Sequence, residues 1–360
     1  MTAEQARFAT FVLVAILAFL VVWLLIVGQS LILPIFTAII SVYVLSTAAD
    51  AMGRLALLDR LPSFVRRLLV LIGFALCVVA FGLVISTTVD QLLVAGPTYK
   101  DNLASLATEI ADLFGMKALP TWEQIRTTVF PELDFKDLLL GLLGSVTSLG
   151  SGIFLVVVYA IFLVAEQGSL AGKLAAAFPK GDRAARMTKL FNQINRRIGD
   201  YLAVKTLVNV ILGAVSYVIM LAMSLDFALF WAVLIALFNY IPFIGTFAVV
   251  FPIFLSLAQF GSLTTTLILA ALLLLTQFVS DNVLETKLFS RQLNLSPFVI
   301  IVALSFWSAV WGLPGAILAI PITSMIAIIC AAFPATRFIA LLLAERVDEY
   351  ETDSKPGTGG

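Results

Sequence analysis

The chain has 360 residues, 61% of them hydrophobic and 12% charged, with a mean hydropathy of +1.08. A soluble domain carries about 25% charged residues, so the composition points to an integral membrane protein. Formal net charge is zero and no histidine is present, which gives no sign of a nucleic-acid partner and excludes His-based triads, His-ligated haem and the usual zinc sites.

In chain order, the residues 8–27 are apolar and about one bilayer long, which exceeds the core of a signal peptide, and read as a retained first transmembrane helix. Further apolar runs follow at 31–48, 68–89, 138–165, 202–223, 227–258, 263–279 and 297–330. This predicts an all-α, polytopic membrane protein with about eight helical segments. Cys77 and Cys330 lie inside apolar runs and read as packing residues. No P-loop and no GxSxG elbow occurs, and no nucleophile–base pair is visible, so neither a cofactor, a metal nor an enzyme activity is expected.

Lysine and arginine set the orientation. The segment 90–137 has four basic and eight acidic residues, whereas 166–205 has eight basic and three acidic, and 49–67 has four basic and two acidic. Alternating spans put the N-terminus, 49–67 and 166–201 on the basic, cytoplasmic side, with 90–137 outside. The C-terminus is then cytoplasmic too. The domain reading is 1–89 for helices one to three, 90–137 for an extracytoplasmic helical segment and 138–165 for the fourth helix. It continues with 166–201 as a cytoplasmic basic amphipathic segment, 202–336 as a transport core with two broken-helix units, and 337–360 as a cytoplasmic tail.

Local patterns add detail. Leu103, Leu106, Ile110 and Leu113 recur at helical spacing. Met187, Leu190, Phe191, Ile194, Ile198 and Leu202 form one stripe opposite arginines, which reads either as an interfacial helix on anionic lipid or as a connector packed on the bundle. Gly144, Ser148 and Gly152 recur at i+4, a spacing that lets helix backbones approach closely.

Two apolar runs are too long for one crossing and are broken near the middle. The run 227–258 contains Asn239-Tyr-Ile-Pro242-Phe-Ile-Gly245, and 297–330 contains Trp311-Gly312-Leu-Pro314-Gly315. Proline leaves helix carbonyls free, and free backbone groups at membrane depth are tolerated only against protein or a wet cavity. The simplest account is a pair of re-entrant hairpins entering from opposite sides, each preceded by an ordinary helix. The other account is a pair of kinked, tilted crossings. Paired broken helices in the second half of a chain point to a transporter substrate site.

The stretch YLAVKTLVNVILGAVSYVIMLAMSLDFALFWAVLIALFNYIPFIG resembles the autoinducer-2 exporter (AI-2E) family of transporters, as does DNVLETKLFSRQLNLSPFVIIVALSFWSAVWGLPGAILAIPI. The order N-x-I-P-x-I-G, N-x-x-E, L-x-L-S-P, W-G-x-P-G carries the resemblance. It implies a bacterial inner-membrane transporter that exports the autoinducer-2 signal or a related small polar solute, working by an elevator-like movement of the broken-helix core. It also implies a homo-oligomer, a pentamer by analogy, in contact with membrane lipid. Sodium(lithium)/proton antiport, as in other members, is the alternative, and a non-transporting scaffold is a second alternative.

Ionisable residues within spans are costly and mark function, and here they are few. The candidate substrate path comprises Asn239, Pro242, Gly245, Gln277, Asp281, Asn282, Glu285, Gly312, Pro314 and Gly315. Asn239 either caps broken backbone or meets solute. Gly245 is expected to supply a positive-φ turn. Asp281, Asn282 and Glu285 form a solvated helix end, a gate or a cation site. Lys205 either snorkels to headgroups or is a charge partner for an anionic group. Asn209 adds a further neutral amide. The scarcity of deep carboxylates favours a neutral solute over a cation.

Overall fold

The structure is a computed structural model that describes residues 3–52, 62–113, 155–166, 173, 182–242, 244–288 and 294–346. Among them there is no strand. The expected small-residue repeat at Gly144, Ser148 and Gly152, most of the 138–165 run and the last residues of the tail lie outside the described residues.

The helices, in order, are α1 Ala3–Val27, α2 Gln29–Met52, α3 Ser63–Leu113, α4 Leu155–Glu166, α5 Asp182–Ala222, α6 Ala228–Phe238, α7 Ile244–Ala248, α8 Val250–Phe260, α9 Leu263–Val279, α10 Pro297–Ala332 and α11 Arg337–Leu343. A π-helical turn, Ser280–Glu285, extends α9 and passes into a last turn, Thr286–Leu288. Among the described residues, six helical stretches are long and apolar enough to cross a membrane. Two helices run further than the apolar runs that predict them. The basic stripe and the span beginning at 202 are one 41-residue helix, α5, and α3 continues for 51 residues, as far as Leu113, through the predicted repeat of Leu103, Leu106, Ile110 and Leu113.

The chain divides into two compact units, one of 1–68, 154–203 and 291–360, the other of 69–153 and 204–290. The first unit contains the second broken run. Trp307 Nε1 donates to Thr323 Oγ1 over 3.1 Å, although the two are 16 residues apart. A straight helix would hold them about 24 Å apart, so α10 folds back on itself. The reversal sits at Gly312, whose φ of 64° and ψ of −144° are non-helical and belong to a region used almost only by glycine. Gly315 is needed for a different reason: a Cβ there would lie 2.0 Å from the Trp307 carbonyl oxygen. Trp311, buried, donates from its indole to the Leu25 carbonyl over 3.0 Å and packs against Phe36. Ser296 caps the start of α10 through the Val299 amide, and its own amide bonds to the Leu343 carbonyl. No residue of the Phe8–Val27 window is buried, as expected of an apolar helix facing lipid.

The second unit holds the first broken run. Leu212, Met220, Ala232, Ile235, Val249, Leu269 and Leu273 belong to its buried core. The run from α6 to α8 also folds back. Gln259, at the end of α8, donates to the Ser224 carbonyl over 2.9 Å and accepts from the Asp226 amide over 2.8 Å, just before α6 begins. The two ends of the run therefore lie together. Asn102 of α3 joins them by donating to the carbonyls of Ala258 and Gln259, and Tyr99 donates to Asp226 over 2.6 Å. Alone, the 11 residues of α6 reach about 16 Å, half of a hydrocarbon core about 30 Å thick.

Candidate functional site

Three elements of the second unit converge on one buried polar cluster. Helix α5 contributes Lys205 and Asn209, four residues apart and so on one face. The break between α6 and α7 contributes Asn239. Helix α9 contributes Gln277, and its π-helical turn contributes Ser280, Asp281 and Glu285. Lys205, Asn209, Asn239, Gln277 and Ser280 are all buried. A π turn closes i→i+5 hydrogen bonds in place of i→i+4 and is frequent at functional sites.

The amides form a chain. Gln277 Nε2 donates to Asn239 Oδ1 over 2.8 Å, and Asn239 Nδ2 donates to Asn209 Oδ1 over 2.8 Å. The same Gln277 nitrogen donates to both carboxylate oxygens of Asp281, at 3.0 and 3.2 Å. Beside this chain Lys205 forms an ion pair with Glu285, and its ammonium acts electrostatically on Asp281 as well. Thr206 and Tyr240, the neighbours of Lys205 and Asn239, share a hydroxyl–hydroxyl bond of 2.8 Å. Three buried polar atoms have no protein partner: Asn209 Nδ2, Gln277 Oε1 and Ser280 Oγ. Leaving such a group unsatisfied costs about 1–3 kcal/mol, so the amide chain has one donor and one acceptor to offer a polar guest.

Small residues make the convergence possible. A Cβ on Gly245 would lie 2.4 Å from Asn239 Oδ1, so a side chain at 245 would occupy the place of the Asn239 amide. This corrects the expectation of a positive-φ turn: Gly245 is helical, and among the described residues the glycines with positive φ are Gly261 and Gly312. Gly213, one turn after Asn209, lets α5 lie against α6; its Cβ would meet the Ala236 Cβ at 3.0 Å and the Ala232 carbonyl at 3.2 Å.

Of the sequence-predicted path residues, Asn239, Gly245, Gln277, Asp281 and Glu285 come together, with Lys205 as the charge partner of Glu285. Pro242 sits in the turn leading to α7 and is partly exposed. Asn282 points elsewhere: it is exposed and donates to the Phe278 carbonyl of its own helix. The chain stays helical beyond these residues, as far as Leu288. Gly312, Pro314 and Gly315 belong to the fold-back of the other unit. Sequence reasoning left Asn209 outside the path and passed over Ser280. The i+4 spacing of Lys205 and Asn209 was the signal available for the first.

Among the described residues no group of three or more His, Cys, Asp or Glu is placed to hold a metal ion. A family model described as "AI-2E family transporter" matches residues 11–335. The chain is 29% identical over 248 residues to a "Putative transport protein" of Borreliella burgdorferi, covering 67% of this chain and 66% of that one. It is 30% identical over 211 residues to the AI-2 transport protein TqsA of Escherichia coli K12, covering 58% of this chain and 60% of TqsA. It is 25% identical over 181 residues to the "Putative permease PerM" of the same strain, covering 50% of this chain and 51% of that one. With its long apolar helices and a family match over nearly its whole length, the chain is an integral membrane protein and belongs to the AI-2E family of transporters.

Proposed function

We propose that the chain moves a small neutral polar solute across the bacterial inner membrane, with the amide cluster of Asn209, Asn239 and Gln277 as part of the path. The observation that carries this reading is the pair of buried, unpartnered amide atoms in that cluster, Asn209 Nδ2 and Gln277 Oε1. A neutral solute with hydroxyl and carbonyl groups matches a lone donor and a lone acceptor. An autoinducer-2-like molecule, a small furanone diol, has that chemistry, and TqsA is named for transport of autoinducer-2.

In this reading both fold-back runs are re-entrant hairpins, the broken-helix core moves in an elevator-like way, export is the direction, both termini are cytoplasmic and the working form is a homo-oligomer, a pentamer by family analogy. Gly312, Pro314 and Gly315 give the second hairpin its turn, and Pro242 gives the first its own. Efflux from proteoliposomes, with a panel of neutral polyols, furanones and charged metabolites under imposed proton or sodium gradients, tests it. Preferential movement of the neutral members is expected. Exclusive movement of charged ones would overturn it.

A second reading, sodium(lithium)/proton antiport, is favoured by one observation: Asp281 and Glu285 face a single ammonium, that of Lys205, which leaves one negative charge over. In that case Asp281→Asn abolishes cation-driven proton movement in the same vesicles.

A further inference from the structure

We propose that Asp281 sets the hydrogen-bond polarity of the buried amide chain, and that a proton taken up by its carboxylate reverses the chain, changing the group offered at Asn209 from donor to acceptor. The inference deepens the transport reading by naming what selects the solute, and rests on it for that part.

Which atoms can donate fixes the polarity of the chain. An ionised carboxylate only accepts. Gln277 lies within 3.0 and 3.2 Å of both Asp281 oxygens and within 2.8 Å of Asn239 Oδ1, all from its Nε2. Its amide must therefore present nitrogen on this side, since oxygen there would face two acceptor oxygens. Asn239 must then present oxygen to Gln277 and nitrogen to Asn209, and Asn209 must accept with oxygen. Each orientation dictates the next. The chain ends with Asn209 Nδ2 as a free donor and leaves Gln277 Oε1 as a free acceptor. With Asp281 ionised, the end at Asn209 suits a carbonyl, ether or hydroxyl oxygen.

Protonated Asp281 becomes a donor. Its O–H then bonds to Gln277 Oε1, once that amide has turned over. Asn239 Nδ2 donates to the same oxygen and Asn209 Nδ2 to Asn239 Oδ1. Three donor hydrogens are engaged in either state, yet the free groups are now Asn209 Oδ1 and Gln277 Nε2. One proton enters and none leaves. The charged groups facing Asp281 are Lys205 from α5 and, through its pair with Lys205, Glu285 from the π turn. This arrangement couples proton uptake to a change in the solute group that is held, with no need for the carboxylate to touch the solute. Asp281 is thus a positioning residue.

The test uses the full chain in lipid vesicles, with carbon-13 at the side-chain carbonyl of glutamine, and infrared difference spectra between pH 9 and pH 4. As the pH falls, a carboxylic-acid band is expected to appear, and a labelled glutamine carbonyl band to shift to lower wavenumber at the same midpoint as Oε1 gains two donors. The glutamine shift, and the part of the acid band that shares its midpoint, should vanish in Asp281→Asn and return, with a moved midpoint, in Asp281→Glu, which guards against a folding defect. In Asn239→Leu the acid band should remain and the glutamine shift should shrink. A glutamine shift that persists at the parental midpoint in Asp281→Asn would overturn the proposal. An acid band from Asp281 without a glutamine shift, or no Asp281 titration across the range, would do so too. The spectra need no solute. Failure of transport with the reversal intact would sink the transport reading alone, and transport without reversal would sink the switch alone.

Discussion

Lys205 and Glu285, 80 positions apart in the chain, form an ion pair whose lysine side chain is 6% exposed and whose glutamate is 25% exposed. Desolvation makes such a pair a weak source of net stability, but removing one partner strands a charge, at about 3–5 kcal/mol. Lys205→Met should therefore destabilise the protein by about that amount, while Lys205→Met with Glu285→Leu should recover most of the loss. Thermal unfolding of the detergent-solubilised protein measures the three variants. A single variant as stable as the parent would contradict the pairing.

Gly245→Ala places a methyl group 2.4 Å from Asn239 Oδ1. Overpacking of this kind costs about 1–3 kcal/mol, and here the group displaced is the central amide of the chain. The variant is expected to assemble, to unfold at a lower temperature and to lose solute flux more than Gly213→Ala, whose nearest neighbour is an alanine methyl at 3.0 Å. Flux per assembled protein and melting temperature, read together, check the order.

The two glycines of the second fold-back should respond differently. Gly312→Ala meets no atom within 4 Å but strains a φ of 64°, at about 1–3 kcal/mol. Gly315→Ala puts its methyl 2.0 Å from a backbone carbonyl, which cannot rotate away, and should be the more damaging of the two. Thermal unfolding of the two alanine variants measures the difference. Equal stability of the two alanine variants would contradict the geometry.

Tyr99 lies in α3 beyond its membrane-spanning stretch, Val65–Thr88; burial, then the hydrogen bond to Asp226 and its charge, push its phenol well above the ordinary value of 10.0. A raised value in the folded state means that the folded protein holds this proton more tightly than the unfolded one. The stabilisation is complete below about pH 10 and falls as pH rises beyond it. Tyr99→Phe should flatten the decline of stability above that pH, and chemical denaturation between pH 8 and 11 measures it.

Much of the fold was legible in the sequence, because proline and glycine announce their effects locally. The break at Pro242 and the reversal at Gly312 fall where those residues stand. The site was legible only in its members. Asn209, Asn239 and Gln277 are 30 and 38 residues apart, and no spacing rule links them; they meet because Gly213 and Gly245 clear the way. The role of Gly245 was misread because a glycine beside a proline suggests a turn, whereas here the need is for space. Asn282 shared a motif with Asp281 and Glu285, but its side chain turns back to Phe278. Nothing in residues 280–285 announces a π turn, which depends on how the whole helix packs.

The account stands most directly on solute flux through the amide cluster. In proteoliposomes, efflux of neutral polyols and furanones should fall about ten- to a hundredfold in Asn239→Leu and in Asn209→Leu, the cost of losing one buried hydrogen-bonding partner. Thr108→Ala, at an exposed residue bonded only within its own helix, should stay at the parental rate. If both leucine variants assemble and transport the neutral solutes as the parent does, the path does not run through the amide cluster.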